Sequence, residues 1–240
     1  MMTHISDDLD KFYSIPHLNK PVTFFGSARL APNSPYYEQA KKLAFMCVQA
    51  GFSVVTGGGG GIMQAANEGA FKAAELLDIN LNAKNSNFTP NSSENSQQNS
   101  PQKPSPKDLK SIGFNIFLPF EQKGNDFLGY NITFKSLAIR KMALVEKSLA
   151  FVIFPGGFGT LDEFVEVLTL KQLGFKDVPI FVVGREFWRG FDEFIKSSLL
   201  SLNVISKGDE LKYEITDDLE FIVKKLKEEY ENSSRNEWRG

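Results

Sequence analysis

Histidine and cysteine are scarce in this chain: its 240 residues include two His and one Cys. His4 and His17 both lie near the N-terminus, which argues against a histidine triad and a histidine-rich metal site, so no metal is expected. Cys47 cannot form an intrachain disulfide by itself, and a lone thiol suits a reducing compartment. It falls in the helical stretch EQAKKLAFMCVQAG and reads as a small core residue. Neither sign of charge is in excess, with 27 basic and 29 acidic residues and a net charge of −2. Without a basic stripe, nucleic acid is not an expected partner. No apolar run approaches the length of a membrane span, and the start, MMTHISDDLDKF, lacks the basic-then-apolar order of a signal peptide. A cytoplasmic location without a membrane partner is the expectation. Any chemistry then runs on carboxylates, Arg, Lys, hydroxyls and backbone.

What is present is a regular alternation of strands and helices. PVTFFGSARL (21–30) reads as a strand and its turn, and 34–51 as a helix stopped by Gly51. FSVVTGGGGG (52–61) is a second strand running into glycines, followed by a helix over 62–77. The stretch 82–107 is rich in Asn, Ser, Gln and Pro; it cannot bury enough surface to offset its ordering entropy, which predicts a disordered surface insertion. Strands follow at 111–120, 130–134, 149–154 and 178–184. Helices are predicted over 135–148, from Thr160, over 186–200, and over 215–231 with Thr216 as N-cap. Strands that are mostly apolar on both faces argue a largely parallel sheet covered on both sides. The expected fold is one Rossmann-like, doubly wound α/β domain over 1–240. Such sheets bind ligands beyond the carboxyl ends of their strands, where the glycine turns that follow these strands fall.

Two of those turns carry a signal. TGGGGGIMQAANEGA (56–70) lets backbone approach a ligand closely at a helix N-terminus, where free N–H groups bind anions. The dinucleotide fingerprint would need a glycine at 62, 63 or 64, where Ile62, Met63 and Gln64 stand, and the P-loop lysine is missing. In PGGFGTLDE (155–163), Thr160 and Glu163 fit a capping box. The same residues fit a phosphate held by the glycine turn and Thr160, with Glu163 facing the site; spacing alone does not separate the two accounts. In isolation, Arg140 and Lys141 in AIRKM (138–142) read as a solvated helix face before they read as site residues.

Taken together, GGGGGIM, RKM and PGGFGTLDE resemble the LOG family, named for the plant "lonely guy" cytokinin-activating enzymes and often labelled lysine decarboxylases. The family signature P-G-G-x-G-T-x-x-E is matched at each fixed position from Pro155 to Glu163. The resemblance, over about residues 20–200, implies a Rossmann-like fold without a cofactor. It also implies hydrolysis of the N-glycosidic bond of a nucleoside 5′-monophosphate, such as AMP or a cytokinin riboside monophosphate, to free base and ribose 5-phosphate. It implies Arg140 and Glu163 as catalytic residues, with Gly157, Gly159 and Thr160 lining the phosphate site. The full candidate substrate-binding set is Gly26, Ser27, Gly58, Gly59, Gly60, Met63, Lys141, Gly156, Gly157, Gly159 and Thr160. Glu121 and Asn125 are further candidate nucleotide contacts. A homodimer or larger homo-oligomer is expected from the family. A non-catalytic nucleotide-binding protein, sensor or carrier, is the alternative; it would need the glycines and Thr160 but no carboxylate beside the sugar.

Overall fold

The computed structural model describes residues 2–85, 104–118 and 123–237. Seven strands form a single sheet in which all paired neighbours run parallel. In chain order they are β1 (Pro21–Phe25), β2 (Ser53–Thr56), β3 (Ser111–Ile116), β4 (Tyr130–Phe134), β5 (Ala150–Ile153), β6 (Ile180–Val182) and β7 (Glu214–Ile215). Their spatial order is β4-β3-β2-β1-β5-β6-β7, so winding reverses between β1 and β5. That reversal opens a crevice at the carboxyl ends of these two strands, the place where open α/β sheets bind ligands.

Among the described residues, seven α-helices accompany the sheet: α1 (Met2–Tyr13), α2 (Pro35–Gln49), α3 (Ile62–Asn85), α4 (Leu137–Glu146), α5 (Phe158–Gln172), α6 (Arg185–Phe194) and α7 (Leu219–Glu237). β1, β2, β5 and β6 are buried along their whole length, as apolar strands of a doubly covered sheet must be. Side chains alternate between faces. Val22, Phe24, Val54 and Val152 meet α2, α3 and α7 through Leu43, Ile62, Ala66 and Ile222. Phe25, Val55, Phe151 and Ile153 meet α1, α4, α5 and α6 through Phe12, Leu144, Phe164 and Trp188. Cys47 lies in the first of these cores, where burial pushes its thiol up to about 12, so it is not a reactive thiol.

Helices α2 and α3 cross closely because small residues line the contact: Ala65, Ala66, Ala70 and Ala73 are fully buried, and a methyl group at Gly69 would stand 2.0 Å from the Lys41 carbonyl oxygen. Helix α2 stops as its sequence predicts. Gly51 takes a φ of 96°, its N–H bonds the Val48 carbonyl, and the Phe52 N–H bonds that of Cys47.

The structure departs from the sequence reading in several places. Helix α1 was not predicted: its stretch is polar and acidic overall, although Met2, Ile5, Leu9 and Phe12 fall at helical spacing. It is held by tertiary contact, with Phe12 in the core and Asp8 fully buried. Helix α3 runs to Asn85, into the first residues of the polar stretch expected to be disordered; 86–103 lie outside the described residues, as does Glu121. Asp218, not Thr216, caps α7: its carboxylate accepts the Phe221 N–H at 2.9 Å, while the Thr216 hydroxyl accepts that of Asp218 one turn earlier. Among the described residues, no helix is long and apolar enough to cross a membrane.

The α2–α3 crossing yields a test. Gly69→Ala should destabilise the fold by about 1–3 kcal/mol in urea unfolding, as expected when a methyl is forced against backbone; an unchanged midpoint would show that the helices can move apart freely.

Candidate functional site

The carboxyl ends of β1, β2, β3 and β5 converge on one crevice. The turn after β1 is fastened to both glycine turns. The Ser27 N–H donates to the Pro155 carbonyl at 3.0 Å, and the Ser27 carbonyl accepts the Ile62 N–H at 2.9 Å. Gly26 has no room for a side chain, since a methyl there would meet Ile62 at 2.6 Å.

The five-glycine turn serves the protein as much as any ligand. A methyl at Gly57 would lie 2.1 Å from Arg140 Nη2 and 2.9 Å from Met63 Sδ. Gly58, at φ +72°, would drive a methyl into the Asn115 amide, and Gly61, at φ +60°, into the Ser27 carbonyl. The turn is latched from below. The Asn125 amide N–H donates to the Gly59 carbonyl and to Asn67 Oδ1, each at 3.0 Å, and its backbone N–H donates to the Gly58 carbonyl at 2.9 Å. Asn67, fully buried, also accepts from the Thr56 hydroxyl and donates to Ser111 Oγ and the Ile112 carbonyl. Asn125, a candidate nucleotide contact by sequence, thus has its amide engaged within the protein.

At the turn after β5 the capping box does not form. Gly157 is the N-cap of α5 without a side-chain bond, and the Leu161 N–H is the first to find a helical carbonyl, that of Gly157. Thr160 is therefore the third residue of the helix, and Glu163 lies beyond reach of the cap. A methyl at Gly156 would strike the Thr160 hydroxyl at 2.1 Å, while Gly157 and Gly159 have no neighbouring atom within 4 Å of that position. The first amides of α5, which have no helical partner, therefore line open space at the positive end of a helix.

Glu163, freed from capping, meets Arg140. Its Oε1 accepts from Arg140 Nη1 at 3.1 Å, while Arg140 Nε donates to the Phe114 carbonyl at 3.0 Å. The Glu163 side chain is only 7% exposed, and its buried Oε2 has no hydrogen-bond partner among the described residues. Burial pushes its carboxyl up to about 7, against the pull of Arg140 and then Lys141; burial likewise lowers the Arg140 guanidinium despite Glu163. The two shifts agree: desolvation outweighs the attraction within the pair. A raised carboxyl favours folding when protonated. Its contribution is full below the ordinary value of 4.5 and is lost as pH rises through about 7.

Lys141 stands apart from the glycine turns. Its Nζ bridges Asp162 at 3.0 Å and Glu166 at 2.9 Å on α5, and these carboxylates hold its pKa above the usual lysine value. It braces α4 against α5, and its charge pulls the Glu163 carboxyl down. Gly57, Asn67 and Asn115 were missed by the sequence reading. Gly57 could have been suspected from the run of five and Asn67 from the stretch TGGGGGIMQAANEGA that contains it; Asn115 carries no local signal. Among the described residues, no cluster of three or more His, Cys, Asp or Glu could hold a metal ion.

A parallel sheet wound in both directions from its switch point, with helices packed on it, defines a doubly wound α/β protein. Residues 96–226, more than half of the chain, match the family model described as "Possible lysine decarboxylase", and the chain belongs to this family, the LOG family. Cytokinin riboside 5′-monophosphate phosphoribohydrolase LOG1 of Arabidopsis thaliana is 45% identical over 47 residues, 20% of this chain and 22% of that protein. LOG3 of the same plant is 49% identical over 41 residues, 17% and 19% of the two chains. The match spans about a fifth of the length of these curated relatives. Among solved structures, the molybdenum cofactor binding protein from the phototrophic bacterium Rippkaea orientalis shares the fold at a TM-score of 0.51 and 18% identity, over 87% of this chain and 94% of that one.

The packing of Arg140 on Gly57 can be tested by a double-mutant cycle. Gly57→Ala should cost about 1–3 kcal/mol in urea unfolding and distinctly less in an Arg140→Ala background, where no guanidinium is displaced; equal costs in both backgrounds would show that the glycine serves the turn alone.

Proposed function

We propose that the protein hydrolyses the N-glycosidic bond of a nucleoside 5′-monophosphate, AMP or a cytokinin riboside monophosphate, giving free base and ribose 5-phosphate. The observation that carries this reading is Glu163 Oε2, without a partner among the described residues and buried on α5 near its open N-terminus. A phosphate-binding turn alone has no use for such a carboxylate, which would repel the ligand. Breaking a ribosyl C–N bond supplies the use, because positive charge builds on the sugar as the bond lengthens.

The parts divide as follows. The amides of Gly157, Gly159 and Thr160 hold the 5′-phosphate at the positive end of α5 and place the ribose over Glu163. Ionised Glu163 stabilises the developing charge at C1 through Oε2 and takes a proton from the attacking water. The water oxygen bonds to C1, the C–N bonding electrons leave with the base, the base nitrogen takes a proton from solvent, and Glu163 returns to solvent the proton it took from water. Arg140 holds Oε1, fixing the carboxylate and favouring its charged form. Support comes from the family membership and from the curated relatives, whose names state this activity.

A lysine decarboxylase would need a lysine free to form a Schiff base with pyridoxal phosphate. Lys141 does not fit that group, because two carboxylates hold it protonated. A non-catalytic carrier, the reading that the fold shared with a molybdenum cofactor binding protein suggests, leaves the Glu163 carboxylate without a role.

The test is direct. Incubated with AMP, and separately with isopentenyladenosine monophosphate, the protein should release free base resolvable by chromatography, and Glu163→Ala should lower kcat by about 100-fold or more. For the wild type, kcat/KM should climb as pH rises through about 7, since the ionised carboxylate of the free enzyme is the working form. No base from either nucleotide, or release that survives Glu163→Ala, would overturn the proposal.

A further inference from the structure

Helix α1 precedes the stretch that matches the family model, and the chemistry above does not use it, yet it carries a fully buried carboxylate. Asp8 Oδ2 accepts the backbone N–H of Lys135 at 2.7 Å and of Ser136 at 2.6 Å. Its Oδ1 accepts from Lys11 Nζ at 3.1 Å, and the same ammonium donates to the Thr133 carbonyl at the end of β4. These amides and the ammonium hold the carboxyl below the usual Asp range despite its burial.

The location matters more than the bonds. Lys135 and Ser136 are the entire connection between β4 and α4. The α4 cap is weak on its own: the Ser136 hydroxyl accepts the Ile139 N–H at 3.5 Å. The Arg140 N–H bonds the Ser136 carbonyl at 3.1 Å, so the turn that carries the guanidinium starts from the residue that Asp8 grips. At the far end of α4, Lys147 Nζ lies 4.7 Å from the Phe12 ring of α1. One helix thus secures both ends of another, and the second carries Arg140.

We propose that Asp8 is a positioning residue: by fixing the two-residue connection ahead of α4, it sets where Arg140 stands against Glu163. The proposal rests on the functional reading only in treating Arg140 and Glu163 as the working pair.

The test uses the full chain with Asp8→Asn and Asp8→Ala. The first readout is the titration of the Glu163 carboxyl by 13C NMR, assigned with Glu163→Gln; it needs no substrate. Arg140 and Lys141 pull that titration down, while Glu166 and Asp162 push it up, and Asp8 is in contact with none of the four. If Arg140 shifts away, the midpoint should rise by about half a pH unit, a threefold change in proton affinity. The second readout is base release, with kcat expected to fall by about tenfold and KM to stay within about twofold, as for a misplaced catalytic group. Asp8→Asn, which keeps the shape and one acceptor, should fall between the wild type and Asp8→Ala, and it decides the matter if Asp8→Ala does not fold. An unchanged Glu163 midpoint alongside reduced stability would overturn the proposal and leave Asp8 a plain helix anchor. If the wild type releases no base from any nucleotide, the functional reading fails, and the Glu163 titration still decides the role of Asp8.

Discussion

Burying Glu163 beside Arg140 costs both groups hydration, and the single hydrogen bond between them returns only part of it. Much of the carboxyl edge is arranged around keeping that contact in place. Gly57 leaves room for the guanidinium, the Phe114 carbonyl takes its Nε–H, and Lys141 clamps α4 to α5 from outside. The Asn67 network underneath satisfies every polar group of its amide and so holds the glycine turn rigid without leaving a buried group unpaired. The residual cost stays at Glu163 Oε2, which faces no partner. A buried acceptor kept without a partner is a strain that a ligand, water or developing charge can relieve.

The same geometry is what the proposed ribosyl chemistry requires. A helix N-terminus offers positive potential at one end of the crevice and a carboxylate offers negative potential one and a half turns further along the same helix. An anionic phosphate and a sugar that becomes cationic match those two fields in order. Because both fields belong to α5, their spacing is set by helix geometry and not by a mobile loop. Arg140 arrives from α4, so the alignment of the pair depends on how two helices are held together.

Much of the fold was legible in the sequence because buried parallel strands are short apolar runs and glycine turns mark their ends. The β1, β2 and β5 stretches carry both signals. Helix α1 carries neither, since its place is decided by one buried acid and a few apolar contacts far away in sequence. The site was legible in part. Thr160 and Glu163 matched two accounts equally on spacing; the helix beginning at Phe158 puts both inside it and so removes the capping account. The R-K pair looked like a unit, yet adjacent residues on a helix point about 100° apart, and its two members serve different faces. The use of Gly57 by Arg140, and of Asn125 by Asn67, involves residues distant in sequence, and no local pattern encodes such contacts.

The central claim is that α5 binds the phosphate with its first amides while Glu163 faces the anomeric carbon. The most direct measurement is a crystal structure of Glu163→Gln soaked with AMP. The account predicts the phosphate among the amides of Gly157, Gly159 and Thr160, with the ribose C1 about 3.5 Å from the side chain at 163 or separated from it by a single water. A phosphate bound elsewhere, or a base lying where the ribose should be, would contradict it.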